Sequence, residues 1–435
     1  MSASSNDSSS ILKRFNRKQD FSNEELAYRE EVPTSTSSIP LLARSRMGRH
    51  FSYLRTPECR ERALAYSLGL LARVLVLIVI IGVLAGLGIG LIYTEGLPEE
   101  ADYSDLQFNW TVNPSSYLQP YNMSFTYNIL LDGHSHSTYS DGKMTVRQLL
   151  DWHIANGYNA VIVSDHNTIE GGLAAEKLAL AEYNNSITVI PAIEYSCCRL
   201  HMNLIGINQT VKIGPPVPTD QDLQAVINQT HAMGGIVIVN HIPWSNTTED
   251  GYQLPRLPNH PSLEDLKSWG VDGFEIINQN TFDYPTMQFC QQNNLIQMTG
   301  SDVHYPSVPA NAWTLLQTAN NTKAAILEEI RARRTSFLFD PTGTNQRAYP
   351  DENSNYWTLA PVTGLGNYFG AFYDDSKGMY SFQGTFCQPE VLEVHGSMIG
   401  WFIFWLLLSI LVFEIVRVAV LSLYSYILRR KSLSL

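Results

Sequence analysis

The chain has 435 residues, of which 44% are hydrophobic, with 29 lysines and arginines against 41 aspartates and glutamates for a formal charge of −12. That length accommodates one large domain or two ordinary ones with appendages. The negative charge gathers between Glu95 and Ser397, where 13 basic residues face 32 acidic ones, and a field of that sign disfavours nucleic acid as a partner.

Residues 1 to about 65 are serine-rich and polar with few apolar clusters, and read as a disordered tail. From Val74 to Thr94 the sequence "VLVLIVIIGVLAGLGIGLIYT" carries no charge. As a helix rising about 1.5 Å per residue it is long enough for a hydrocarbon core of about 30 Å. It lies too far from the N-terminus for a cleaved signal peptide and is expected to be a transmembrane anchor. Gly82, Gly86 and Gly90 recur along it every four residues, a face on which a second helix can approach closely or two copies can dimerise.

A second apolar segment, 398–428, is followed by Arg429, Arg430 and Lys431 in a short tail, 429–435. Within it Glu414 and Arg417 stand three apart, so they share a helix face and are expected to pair. Seven arginines between Arg44 and Arg73 precede the first span, so positive charge flanks both outer ends. Both termini are therefore expected in the cytoplasm, and residues 95–397 on the lumenal or extracellular side of an endomembrane or the plasma membrane. Seven glycosylation sequons agree, at Asn109, Asn122, Asn184, Asn208, Asn228, Asn246 and Asn320, while the one at Asn6 is expected to be unused. Cys197, Cys198, Cys290 and Cys387 fall in the same segment and can pair in three ways.

Between the spans, short apolar runs alternate with amphipathic ones. The strand candidates are "FTYNILL" (125–131), "NAVIVS" (159–164), "ITVIPAI" (187–193), "MNLIGI" (202–207), "GIVIVN" (235–240), "GFEIIN" (273–278) and "LIQMTG" (295–300). Helix-like stretches such as "TVRQLLDWHIANG" and "KAAILEEIRARR" separate them. About seven βα repeats argue for an α/β barrel of buried parallel strands. The aromatic, glycine-rich segment 341–397 reads as a small β extension against it.

The residues at the strand ends are the informative feature. Asp132, His134 and His136 come after the first strand, with Asp141 closing "DGHSHSTYSDG". Asp165 and His166 come after the second, and Glu194 after the third. His201 introduces the fourth, His241 ends the fifth, and Asp302 and His304 come after the seventh. Six of the eleven histidines thus fall at strand ends, and strand ends converge on one face of an α/β barrel. Mixed imidazole and carboxylate donors suit Zn, Mn or Fe rather than Mg or Ca. Nine candidate ligands (His134, His136, Asp141, His166, Glu194, His201, His241, Asp302 and His304) are too many for one ion and imply two or three, with Glu194 as the bridging carboxylate. His50, His153, His231, His260 and His395 lack such company and read as packing or solvated residues. Trp152, Trp244 and Trp269 read as packing, with Trp244 close enough to His241 to line a pocket.

In their order, "DGHSHSTYSDG", "VSDHN", "AIEYSCCRLHMNLIG", "VNHIP" and "GSDVH" resemble the PHP (polymerase and histidinol phosphatase) superfamily over roughly residues 126–340. The resemblance implies a distorted (β/α)7 barrel, spanning 95–340 here, with a two- or three-metal centre and phosphoesterase activity. It implies His134, His136, Glu194 and Asp302 on one ion, Glu194, His201 and His241 on a second, and Asp141, His166 and His304 on a third. Asp165 would orient an imidazole from behind. Ile242 between the histidine and proline of "NHIP" departs from the usual family pattern but leaves the ligand in place.

The expected reaction is hydrolysis of a phosphate ester by a metal-activated water, on a phosphorylated small molecule, lipid head group or glycan. Arg199 and Lys143 are candidate phosphate contacts. Cys197 and Cys198 lack an activating base and read as disulfide partners rather than nucleophiles. The competing readings are a metal-dependent hydrolase of another bond, such as an amide, and a non-catalytic metal-binding membrane receptor. Loss of ligands would mark the receptor, and none is missing.

Overall fold

The computed structural model describes residues 56–93, 99–248, 254–376, 378–389 and 391–432. Most of the expected N-terminal tail, Asn6, and the last three residues of the chain lie outside them. Two units divide the chain, 1–76 and 77–435. The described part of the first is the opening half of helix α1, Pro57–Tyr93, which begins inside the stretch read as a tail.

The second unit is built on strands β1 Ile129–Asp132, β2 Ala160–Val163, β3 Thr188–Ser196, β4 His201–Ile205, β5 Ile236–Val239, β6 Gly273–Asn278, β7 Thr281–Phe282, β8 Ile296–Gly300, β9 Ala312–Leu316 and β10 Ser336–Phe339. Helices α2 Val146–Ala155, α3 Glu170–Glu182, α4 Asp220–Ala232, α5 Leu263–Trp269, α6 Tyr284–Asn293 and α7 Lys323–Arg331 connect them. Thr145, Thr219 and Ser262 start α2, α4 and α5 with capping boxes, which satisfy amide groups left open at a helix start.

The sheet runs β10-β9-β1-β2-β3-β4-β5-β6-β7, with β8 beside β6. All seven expected strands form, but the sheet is mixed rather than parallel. β4 lies antiparallel to both β3 and β5, because the four residues 197–200 between β3 and β4 allow a hairpin and not a crossover. β9 and β10, unanticipated, add an antiparallel edge.

Alternation along the strands separates two apolar layers. Ile129, Leu131, Ala160, Ile162, Ile190, Ala192, Ile236, Ile238, Ile296 and Met298 cluster with Ile326, Leu327 and Ile330 of α7. The residues of opposite parity, such as Val161, Val163 and Val189, pack under α2 and α3, and Met202, Leu204, Val237 and Val239 under α4 and α5. Each fully buried aliphatic side chain stabilises by about 1.5–3 kcal/mol relative to exposure. The sheet curls back on itself at one end: Gly133 N donates to Thr299 O (2.9 Å), His136 N to Val303 O (3.2 Å) and Asp302 N to His134 O (2.9 Å).

The 341–397 segment is not mainly β. It holds the 17-residue helix α8, Ser354–Gly370, and a hairpin of Tyr373–Ser376 with Val391–Val394. Cys387, in the loop of that hairpin, is bonded to Cys198, leaving Cys197 and Cys290 free and buried. Helix α9, Gly396–Ser432, comes next. α1 and α9 are both long and apolar enough to cross a membrane, and both are largely exposed. On α9 Arg417 donates to Glu414 at 2.7 and 2.9 Å, the expected pair. α8 crosses α1 at Gly88, where a Cβ would stand 2.6 Å from Gly366 N; at Gly82, Gly86 and Gly90 a Cβ would meet nothing within 4 Å. Phe369 and Phe372 pack on Phe402 of α9. All seven sequon asparagines of the segment are exposed.

Under the curl, Asp132 and His153 form a fully buried pair (2.8 Å), with His153 Nδ1 bonded to Leu149 O and Asp132 also accepting from Ser301 N. His153→Ala strands the Asp132 carboxylate in the core, at a cost on the order of 3 kcal/mol. Thermal unfolding of the full chain in detergent should show a clearly lowered midpoint for this variant and little change for His231→Ala, at a half-exposed position.

Candidate metal centre

The strand ends that meet at the closed end of the curl each present a ligand-type side chain. Parity places Glu194 one step beyond the buried Ile190 and Ala192 on the same face of β3, and Asn240 one step beyond Ile236 and Ile238 of β5. Because β4 is reversed, its first residue, His201, arrives at the same end as the last residues of its neighbours; it is paired with Ser196 across the hairpin. His134 and His136 come after β1, His166 after β2, His241 after β5, and Asp302 and His304 after β8.

Glu194 is fully buried and has five imidazoles around it. Its Oε1 lies 3.0 Å from His201 Nδ1, 3.0 Å from His241 Nε2 and 3.5 Å from His134 Nε2. Its Oε2 lies 3.5 Å from His136 Nε2 and 2.7 Å from His166 Nδ1. The His166 contact is not aligned as a hydrogen bond, since His166 Nδ1 faces Ser196 Oγ at 2.6 Å, and Glu194 Oε2 is left without a hydrogen-bond partner. Asp302 Oδ1 stands 3.2 Å from His136 Nε2 and 3.5 Å from His134 Nε2, and His304 Nε2 is 3.2 Å from Asp141 Oδ1. All nine expected ligands are therefore in one cluster. They fall into overlapping groups (His134, His136, Glu194; His134, His241, Asp302; His166, Glu194, His201; His136, Asp141, His166, His304) rather than three separate sets.

These residues fit divalent cations on two observations. His134 Nε2 and His136 Nε2 face each other at 3.0 Å, and His136 Nε2–Asp302 Oδ1 (3.2 Å), His134 Nε2–Glu194 Oε1 (3.5 Å) and His304 Nε2–Asp141 Oδ1 (3.2 Å) have the separations of atoms sharing a cation held at about 2.0–2.2 Å. His201 Nε2, like Glu194 Oε2, is buried without a hydrogen-bond partner, an arrangement folded proteins avoid unless something else satisfies the atom.

The backbone agrees. His241 has a φ of 25° and Asp302 a φ of 49°. Side-chain-bearing residues take up such conformations at a cost of about 1–3 kcal/mol each, typically at functional sites.

Charges in the cluster hold one another in unusual states. Burial works against the ionised carboxylates of Glu194 and Asp302. The imidazoles of His166, His134 and His201 nevertheless hold Glu194, and those of His134 and His136 hold Asp302, well below the usual range. Burial lowers His136 to about 3, helped by His304 and His166, and lowers His201 to about 4 against the pull of Glu194. At the mouth, burial opposes protonation of His304, but the hydrogen bond to Asp141 and the Asp302 carboxylate raise it to about 9. Against its own burial, Asp141 is held at about 2 by His304 and His166.

The residues behind the cluster were the harder ones to anticipate. Glu275 Oε1 is 3.2 Å from His134 Nδ1, and its Oε2 accepts from His241 N at 2.8 Å, so one carboxylate orients two ligands. Its signal was its place near the end of "GFEIIN". A Cβ at Gly300 would collide with Glu275 Oε1 and His134 Cβ, which is why the strand preceding Asp302 ends in glycine. Asn240 Nδ2 donates to Glu194 Oε1 (2.9 Å) and to Asn203 Oδ1 (3.0 Å). Asp165 does not take the expected role: it accepts from Ser137 N and Oγ and from Ser140 Oγ, fixing the loop between His136 and Asp141 instead of an imidazole.

Above the cluster is a cavity of about 530 Å³. Lys143 and Arg199 do not line it. Lys143 Nζ is paired with Glu99 at 2.7 Å, and Arg199 is bonded to Asn259 O, Pro218 O and Asp220. Both side chains stand near a ligand motif in sequence, yet each is held by partners outside the cavity. Trp244 does line the cavity, as do Met379, Tyr380 and Phe382 from the segment after the barrel.

No family model and no curated protein matches the chain. Among solved structures it is similar to a two-domain protein from Bacteroides vulgatus containing a predicted PHP-like metal-dependent phosphoesterase, with a TM-score of 0.40 and 19% identity over 58% of this chain and 73% of that one. It is similar to PsfC from Pseudomonas syringae, with a TM-score of 0.37 and 16% identity, covering 56% of this chain and 100% of that one. An amidohydrolase from Chromobacterium violaceum, with bound sulfate and no metal, gives a TM-score of 0.33 and 16% identity over 48% and 98% of the two chains.

Glu275→Gln keeps the shape of the supporting side chain and removes its charge, and should weaken metal binding about 10–100-fold in a competitive chelator titration. The raised His304 carries a proton in the metal-free protein until the pH passes about 9, so a cation that uses it must displace that proton. Zinc affinity should therefore rise with pH from 6 towards 9, and calorimetry at pH 7 in buffers of different ionisation enthalpy should show proton release on binding. Binding without proton release would mean that the cation displaces no proton from His304.

Proposed function

We infer that the chain is a membrane-anchored metal-dependent phosphoesterase of the PHP type, with residues 95–340 as its hydrolase domain and 341–397 completing it. One observation carries this reading: eight imidazole and carboxylate side chains from successive strand ends gather around the buried carboxylate of Glu194 beneath an open cavity. The order of motifs in the sequence supports it from the side of the family.

Two or three Zn, Mn or Fe ions bound there would supply positive charge for the phosphoryl oxygens and acidify a water molecule. The chain's own groups do the rest. Glu275 and Asn240 hold His134 and Glu194 in place, so the ligands are set before substrate arrives. Asp165 fixes the loop that brings Asp141 to the mouth, where Asp141 and His304 are the most accessible of the ligands. Among the described residues that line the cavity there is no lysine or arginine, so charge for the phosphate falls to the cations there.

α1 and α9 serve as anchors in this reading, with both termini cytoplasmic and the cavity on the lumenal or extracellular side. The flanking basic residues support that orientation, and the exposure of all seven sequon asparagines is compatible with a glycoprotein. The substrate is a phosphorylated small molecule, lipid head group or glycan, and the open face at Gly82, Gly86 and Gly90 suits helix dimerisation in the bilayer.

The full chain purified in detergent should contain two or three divalent ions by elemental analysis and release phosphate from an ester panel. Asp302→Ala combined with His304→Ala should lower that rate by more than about 100-fold while circular dichroism stays unchanged. Phosphate release at the parental rate would refute the site. A metal-loaded protein that cleaves amides but no phosphoester would refute the reaction.

A further inference from the structure

The cavity has walls that cation binding does not require. Trp244 packs against His241, with ring centroids 4.8 Å apart, and against His201 at 5.5 Å. Residues 379–387 form a second wall. Phe382 lies on His166 nearly parallel, its centroid 3.6 Å away and the planes 20° apart, and Tyr380 packs on Phe382.

This strap is built to hold its shape. Cys198–Cys387 ties it to the β3–β4 hairpin. Gln383 Nε2 donates to Ser196 O (3.1 Å), Gln388 Nε2 to Pro255 O (3.0 Å), and Cys387 N to Met379 O (2.8 Å). Phe382 itself sits at a φ of 56°, a conformation that a large side chain adopts only when its surroundings impose it.

The remaining lining is polar and uncharged or acidic. At the β6–β7 turn Gln279 and Thr281 face the cavity with side chains that make no hydrogen bond to any described residue. Five carboxylates line the cavity (Asp141, Glu194, Glu275, Asp283 and Asp302) and, among the described residues, no lysine or arginine does. Two or three divalent cations bring such a cavity close to neutrality, enough to accept one phosphate group but not a second anionic group beyond it. Aromatic faces pack on C–H surfaces, and free amide and hydroxyl groups pair with hydroxyls. A ring with both kinds of surface and no charge is a sugar or a cyclitol.

We propose that residues 379–387 are the specificity wall of the cavity, and that with Trp244 and the β6–β7 turn they receive an uncharged polyhydroxylated ring as the alcohol part of a phosphate monoester. The proposal rests on the phosphoesterase reading only for the ester; the ring site stands or falls by itself. Its test uses the metal-loaded full chain in detergent micelles. Saturation-transfer NMR with unphosphorylated myo-inositol and methyl glucoside should show saturation of ring protons, lost in Phe382→Ala. It should be weakened in Tyr380→Ala, whose side chain is 43% exposed and can be shortened without disturbing the core. In parallel, kcat/KM for inositol 1-phosphate and glucose 1-phosphate should exceed that for ADP by about tenfold or more, and both variants should erase that preference. Absence of ring-proton saturation in the parent chain overturns the proposal, as does parental saturation and preference in both variants. Hydrolysis without any preference for polyol esters overturns it while leaving the phosphoesterase reading intact. Ring binding with no hydrolysis of any phosphoester overturns the phosphoesterase reading and leaves the ring site standing.

Discussion

A carboxylate with no access to solvent is tolerable only if positive or hydrogen-bonding partners surround it, and Glu194 is in that position with five imidazoles within 3.5 Å. No single element supplies those partners. They come from the ends of β1, β2 and β5 and the beginning of β4, so Glu194 cannot be satisfied until the sheet has curled far enough to bring those ends together. The bonds that join the segment after β1 to the segment after β8 complete that curl, and they run through the backbone of the ligands themselves: Asp302 N to His134 O, and His136 N to Val303 O. Closing the sheet and assembling the centre are one event.

The architecture divides along the strand axis for the same reason. Side chains of one parity form an apolar layer, with α7 packed against it, and the next step of the same parity delivers Glu194 and Asn240, with Glu275 of β6 behind His134 and His241. The apolar layer makes the polar one rigid, since densely packed side chains leave little room for a ligand to swing. The price is visible in the backbone at His241 and Asp302, both left-handed. Both stand two residues beyond the end of a strand, where the chain leaves the sheet.

How much of this the sequence disclosed depended on whether a feature was local. The seven strands were legible from their β-branched runs, and the clustering of the nine candidate ligands from residue type at the strand ends, because both are properties of a few adjacent residues. The reversal of β4 was implicit in the four-residue link 197–200 but was hidden by the regular spacing of apolar runs. Glu275 carries no local signal beyond its place near the end of "GFEIIN"; only its reach to His134 and to His241 N distinguishes it. Arg199 and Lys143 were misplaced because nearness in sequence says nothing about which side of a hairpin a side chain takes. Phe382 was the least accessible, being separated from His166 by more than two hundred residues and joined to it only by tertiary packing.

That separation gives the Cys198–Cys387 bond its physical meaning. It closes a loop across 189 residues of sequence, and on chain-entropy grounds a crosslink of that span disfavours the unfolded chain by about 5 kcal/mol. A bond closing a loop of similar length elsewhere in the domain would do as much for overall stability. This one joins the hairpin between Glu194 and His201 to the strap whose Phe382 covers His166. It therefore acts on a local equilibrium too: a strap held by a few hydrogen bonds would open easily, whereas a strap covalently fixed beside the hairpin has a far smaller volume in which to stray. The curled sheet alone gathers the imidazole and carboxylate cluster. Keeping an aromatic wall against His166 requires the part of the chain beyond the sheet, and the disulfide ties that part to the cluster.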